Sequence, residues 1–241
     1  MSIVSTNYIF DFNSLDDDTI FGLRLYSIFF WTYVKTAFFC LLMEIIYPAV
    51  RINAISRKQI LVNYYMMTPS IGLNLVVGIP YFGILGKYLN YPPFMQYQQF
   101  YFMDAFLNLI WFLNYFVAWV LLTDVFFYSI HRMFHLPRLY WLHAKHHEYR
   151  YTHGAGAIYA SIPDFVLANL VPASIPIYIL GIPQNYTQNL IAFISFYTVF
   201  ISHSGFNFRK SHLLHHIKFK VNFGLVFMDR LCKTKMYIEN K

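Results

Sequence analysis

The sequence predicts an all-α integral membrane protein with four to five spans, topped on the cytoplasmic side by a histidine-rich helical cap for two metal ions. Three observations lead there. Of the 241 residues, 58% are hydrophobic and only 12% are charged, with a mean hydropathy of +0.43; a soluble domain carries about twice that charged share. The apolar residues fall into long runs divided by short basic loops. All ten histidines lie between Asp124 and His216. The formal charge of +7 does not point to nucleic acid, because its Lys and Arg flank the apolar runs, where the excess of cations on cytoplasmic loops explains them. Cys40 and Cys232 stand far apart with no C-x-x-C, so neither a disulfide framework nor a zinc knuckle is indicated.

The chain reads as one domain over residues 1–241. Residues 1–19 contain Asp11, Asp16, Asp17 and Asp18 and no basic residue, the wrong charge for the start of a secretory signal peptide, so a tail is expected. Membrane segments fill residues 20–130. The first, Ile20 to Val50, is interrupted by Arg24, Lys35 and Glu44; a charge in mid-membrane is costly, so each is expected at an interface or paired. That segment either spans or lays its first half along the surface. A basic loop with Arg51, Arg57 and Lys58 precedes the second run, Ile60 to Leu85, which Pro69 and Pro80 break. A loop from Gly86 to Gln99 turns at Tyr91-Pro92-Pro93 into the third run, Phe100 to Ile130.

Residues 131–153 carry the first two groups of histidines, 165–201 a membrane hairpin, and 202–241 the third group and a basic tail. The hairpin joins Phe165–Leu180 to Leu190–Ile201 through Gly181-Ile-Pro-Gln-Asn-Tyr. Histidines on both sides of it share a site only if it crosses the membrane an even number of times. Both legs are short for a span of about 20 residues, which tilt or local thinning must accommodate. Counting basic loops puts the histidines in the cytoplasm. The sequon Asn185-Tyr186-Thr187 falls in the luminal turn, too near the membrane to be used.

The chemistry lies in the histidine spacing. His131 and His135 form one group, His143, His146 and His147 a second, and His212, His215 and His216 a third, with His203 preceding it. Residues three or four apart share a helix face, so each group can present a row of imidazoles. Neutral imidazole suits zinc, copper, iron or nickel, and eight or nine rings are too many for one ion, which makes two ions the reading. His153, in Tyr151-Thr-His-Gly-Ala-Gly, fits none of the groups and reads more readily as structural than as a ligand. Asp124 lies seven residues before His131 on the same face, where it would hydrogen-bond a ligating ring. Asp229 reads as a cap or salt-bridge residue. Lys145 and Arg150 read as interfacial charges that would also suit docking of an acidic electron donor.

These motifs resemble the fatty acid hydroxylase/sterol desaturase superfamily of membrane di-iron enzymes. Asp124-Val-Phe-Phe-Tyr-Ser-Ile-His131-Arg-Met-Phe-His135 and His203-Ser-Gly-Phe-Asn-Phe look most like its C-4 methylsterol oxidase and cholesterol 25-hydroxylase branches. Asp229-Arg-Leu is similar to the family's closing Trp-Asp-Arg/Lys stretch, and the likeness runs over residues 100–235. It departs in a short linker before the third group, with Ser211 and Leu213 where relatives often carry His and Asp. The resemblance implies an oxygen-dependent sterol monooxygenase with two Fe ions per chain. It also implies NAD(P)H as electron source through a separate cytochrome b5 or reductase, and residence in the endoplasmic reticulum membrane. A fatty-acyl hydroxylase or sterol desaturase on the same metal core is the alternative. From another class, a membrane metal transporter would string ionisable residues along its spans, whereas these histidines gather at span ends.

Overall fold

A computed structural model describes residues 17–47, 55–88, 102–204, 206, 210–225 and 227–237. Those residues are nearly all helical, with no strand among them. Three long helices come first: α1 (Asp17–Ile46), α2 (Arg57–Tyr88) and α3 (Phe102–Phe134). A short α4 (Tyr140–His143) and two 3-10 turns lead to α5 (Ile162–Leu180). Then come α6 (Gln184–Phe196), α7 (Lys210–Lys218) and α8 (Met228–Leu231). Four of these, α1, α2, α3 and α5, are long and apolar enough to cross a membrane. Their outward faces leave Trp31, Phe38, Val76, Ile84 and Trp111 more than half exposed, a surface that suits lipid and not water.

One expectation changes here. Pro69 and Pro80 do not break the second segment, since both sit inside the continuous helix α2; a spanning helix tolerates proline where neighbouring groups satisfy the freed carbonyls. The first segment is one unbroken helix of 30 residues, about 45 Å long. Glu44 near its end is wholly buried and paired with His153. The Tyr91-Pro92-Pro93 turn, Arg51, the Asp11 and Asp16 end of the tail and part of His203-Ser-Gly-Phe-Asn-Phe lie outside the described residues.

The packing has a physical cause in each layer. Helix α1 lies against α2 and α6, and α3 against α5. Between α1 and α2 the backbones nearly touch: a Cβ on Gly22 would stand 2.2 Å from the Phe82 carbonyl oxygen. In lipid, where apolar burial drives little association, such close approach is what holds helices together. Buried polar side chains add to it. Trp119 donates to the Ala173 carbonyl at 2.9 Å, tying α3 to α5. Tyr33 donates to Ala155, and Asn74 to Ile158 and Ala160, fastening α1 and α2 to the 154–160 segment. The turn between α5 and α6 closes on Gly181, whose φ of 57° caps α5 in the left-handed region. Helices α5 and α6 each contain a π-helical stretch, Phe165–Leu170 within the first and Tyr197–His203 continuing the second.

Candidate metal centre

Every histidine of the three groups, with His203, comes to one place. His131, His135, His143, His147 and His215 form one cluster and His146, His203, His212 and His216 the other, with the ligand-capable atoms of each cluster within 4.8 Å of one another. The clusters interleave: His146 and His147 are neighbours in sequence but serve different clusters, and so do His215 and His216. Rings of the two clusters nearly touch, with His147 and His216 centroids 4.5 Å apart. His131 rides the last turn of α3, and His135 follows just past its end. The third group lies on α7 as a helical row, as its spacing predicts. The second group does not form one helical row. His143 ends α4, and His146 and His147 open a 3-10 turn, which swings His146 away from the face that His143 and His147 share.

The protein orients these rings from behind. His131 Nδ1 donates to the Phe223 carbonyl at 2.8 Å, His146 Nδ1 to Tyr159 at 3.2 Å, His203 Nδ1 to Thr198 at 2.7 Å and His215 Nδ1 to Val221 at 2.8 Å. A carbonyl oxygen only accepts, so in each of these rings the proton sits on Nδ1 and Nε2 carries a bare lone pair. His143 Nδ1 is held in the same way by the buried carboxylate of Asp164, at 2.8 Å.

That arrangement sets the test for a metal. His131 Nε2 faces His143 Nε2 at 3.0 Å, and His146 Nε2 faces His203 Nε2 at 3.3 Å. Both members of each pair have spent their ring proton elsewhere, so no hydrogen bond joins them and two lone pairs confront each other. Similar approaches link His147 with His215 at 3.1 Å and His212 with His203 at 3.0 Å and with His216 at 3.2 Å. Protonation would relieve the repulsion, but burial opposes it: the pKa values of His135 and His146 are pushed down to about 4, and those of His143, His147, His212, His215 and His216 are also lowered. A cation between the rings resolves it. With imidazole–metal bonds of about 2.1 Å, ligand nitrogens sit about 3.0–3.4 Å apart around one ion, the separations seen here. The buried, unpartnered Nε2 of His135 adds a further open donor. The donor sets fit one ion per cluster.

Three other residues bear on the site. Asp124 does not reach a histidine. Seven residues put it about 10 Å back along the helix axis, and its two oxygens accept from the backbone N–H groups of Leu225, Phe227 and Met228 at 2.6 to 2.9 Å. It thus steadies, together with Asp229 on the Phe223 and Gly224 N–H groups, the loop whose Phe223 carbonyl orients His131. The carboxylate that does hold a ring is Asp164, which was not anticipated. Its signal was present in Ser161-Ile-Pro-Asp164, a capping sequence that carries a carboxylate into an apolar span, where it needs a partner. His153 stands apart from both clusters, with Nδ1 on Glu44 at 2.9 Å and Nε2 on Asn63 at 2.9 Å.

Comparison with known proteins agrees with this geometry. Residues 116–234, which hold all ten histidines, match the fatty acid hydroxylase family. Fatty acid hydroxylase domain-containing protein 2 of Macaca fascicularis is 29% identical over 133 residues, covering 52% of this chain and 39% of that protein; its Homo sapiens counterpart is 28% identical over the same coverage. Fatty acid hydroxylase ahd1 of Mycosarcoma maydis is 29% identical over 126 residues, 48% of this chain and 32% of that protein. The match thus spans about two fifths or less of these relatives' own length. No solved structure matches. The nine clustered histidines all fall within the matched residues, and over that half of its length the chain resembles the fatty acid hydroxylase family.

Proposed function

We propose that this protein is an oxygen-dependent, non-haem di-iron monooxygenase that hydroxylates a membrane lipid, with a sterol as the substrate class. The observation that carries it is the facing of bare Nε2 atoms in both clusters, an arrangement that calls for two bound cations beside an apolar bundle. Iron held by these imidazoles would supply the activation of dioxygen. The reaction converts a C–H bond and dioxygen into C–OH and water, drawing two electrons and one proton from NAD(P)H, through a cytochrome b5 or flavoprotein reductase, and the second proton from the solvent. The chain's own residues fix ring orientation through the backbone carbonyls and Asp164. Its aromatic and aliphatic walls keep water from the site.

The proposed setting is the endoplasmic reticulum membrane with the clusters facing the cytoplasm, where an electron donor reaches them. Tags after Lys58 and after Arg150 then both report the cytoplasm, and luminal labelling after Arg150 refutes that orientation. A fatty-acyl substrate is the second reading, favoured by the name of the Mycosarcoma maydis relative. Membranes containing the protein, supplied with labelled dioxygen and NADPH, are expected to yield a sterol carrying one labelled oxygen. Fatty-acyl products alone would support the second reading, and oxygen drawn from water would overturn both.

A further inference from the structure

Two cavities meet inside the bundle. The first borders the metal-ligating rings and Asp164. The second is walled by Phe29, Phe82, Phe165, Ile191 and Ile194 from α1, α2, α5 and α6. They share two side chains, Asn169 and Thr198, and each of these sits on one of the two π-helical stretches. Asn169 follows Asp164 by five residues, about 7 Å further along α5; Thr198 offers its carbonyl to His203. The pair therefore forms a threshold between metal cluster and apolar chamber.

The polar groups of that chamber are not equivalent. Ser174 donates to the Leu170 carbonyl, Ser195 to Ile191 and Thr198 to Ile194, so their hydroxyl protons are committed to their own helices. Among the described residues Asn169 donates to nothing. Neither lining includes Lys or Arg to pair with an anion, and the neutral amide of Asn169 matches an uncharged group: a hydroxyl, or the carbonyl of an amide or ester.

We propose that Asn169 is the specificity-determining residue of a lipid site in which the part of the apolar body next to the polar group enters the chamber and the single uncharged polar group is held at the threshold beside the metal cluster. The inference rests on the monooxygenase reading and sharpens it. A lipid anchored this way presents to the clusters the carbons next to its polar group and keeps the far end of its tail away, so oxidation falls beside that group.

The test uses the full metal-loaded chain in phosphatidylcholine nanodiscs. Two diazirine-bearing probe pairs are photolysed: a sterol alcohol with its deoxy counterpart, and a long-chain fatty alcohol with its alkane. Labelled peptides are mapped by mass spectrometry. One of the two alcohols is expected to label residues 165–170 and 191–198 about tenfold more than its deoxy partner, the ratio of one neutral hydrogen bond, and which alcohol does so identifies the lipid class. Asn169→Leu should abolish that ratio while two metal ions per chain are retained. Equal labelling by alcohol and deoxy probe, or a ratio unchanged in Asn169→Leu, overturns the proposal. If Asn169→Leu does not fold, Ile191→Trp, which fills the chamber and leaves its polar residues alone, is expected to remove labelling by both probes; retained labelling overturns it equally. Alcohol-dependent labelling without any oxygenated product supports this site and removes the monooxygenase reading alone. A product oxidised at the far tail does the reverse.

Discussion

His153 and His131 are both buried, both one-per-cent exposed, and both hold a hydrogen bond through Nδ1. They differ in the other nitrogen. His153 Nε2 meets the Asn63 amide, which can complement either tautomer, so its ring is satisfied by protein alone. His131 Nε2 meets another bare Nε2. Burial and count do not separate a structural histidine from a ligand; the partner of the second nitrogen does. The Glu44–His153 pair fastens α1 to the segment behind the second histidine group, and the nine clustered rings turn ring nitrogens toward one another.

The comparison breaks most sharply on metal content. His215→Ala is expected to lower bound metal from two ions per chain to about one, measured by elemental analysis in mild detergent, while His153→Gln keeps both. Loss of an ion in His153→Gln would erase the distinction. The next effect lies on the structural side. Glu44→Ala leaves His153 buried without its carboxylate, which should cost about 3 kcal/mol of stability with metal stoichiometry unchanged; a change below about 1 kcal/mol in denaturant unfolding would show the pair to be incidental. Asp164→Asn removes the acceptor from His143 Nδ1 and is expected to weaken metal affinity about 10- to 100-fold in chelator competition. Affinity equal to wild type would leave Asp164 as a mere cap.

A further effect is one of acid. In the metal-free protein His135 and His146 stay neutral down to about pH 4, whereas in the unfolded chain they take up protons below about pH 6.5. The unfolded state therefore binds more protons in that window. Stability is full above about pH 6.5 and falls progressively toward pH 4. Thermal unfolding of chelator-treated protein reads it directly, and a flat profile from pH 7 to 4 would show that the emptied rings are not buried. Saturating metal should shift the decline to lower pH, since only the neutral rings bind it.

Much of this was legible in the sequence because it depends on spacing and hydropathy. Eight of the nine clustered histidines were marked by H-x-x-x-H and H-x-x-H-H, with His203 standing alone before the third group, and the spans by long apolar runs. What was not legible depends on tertiary geometry. Asp124 shares the helical face of His131, but periodicity does not show that a loop 101 to 104 residues later takes its carboxylate. Asp164 lies 21 residues from His143, a separation without local signature. The carbonyls of Tyr159, Thr198, Val221 and Phe223 that set the ring tautomers are backbone atoms, to which side-chain patterns are blind.

The π-helical stretch Tyr197–His203 has a consequence at the level of the gene. A π turn holds an extra residue compared with an α-helical one, and each α-helical residue turns the face by about 100°. A point substitution that let this stretch relax to ordinary α-helix with every residue kept would swing His203 by about 100° off the cluster it shares with His146, His212 and His216. An in-frame loss of a single codon between Thr198 and Ser202 would instead remove the extra residue and leave His203 in register. The smaller change to the gene would be the larger change to the cluster.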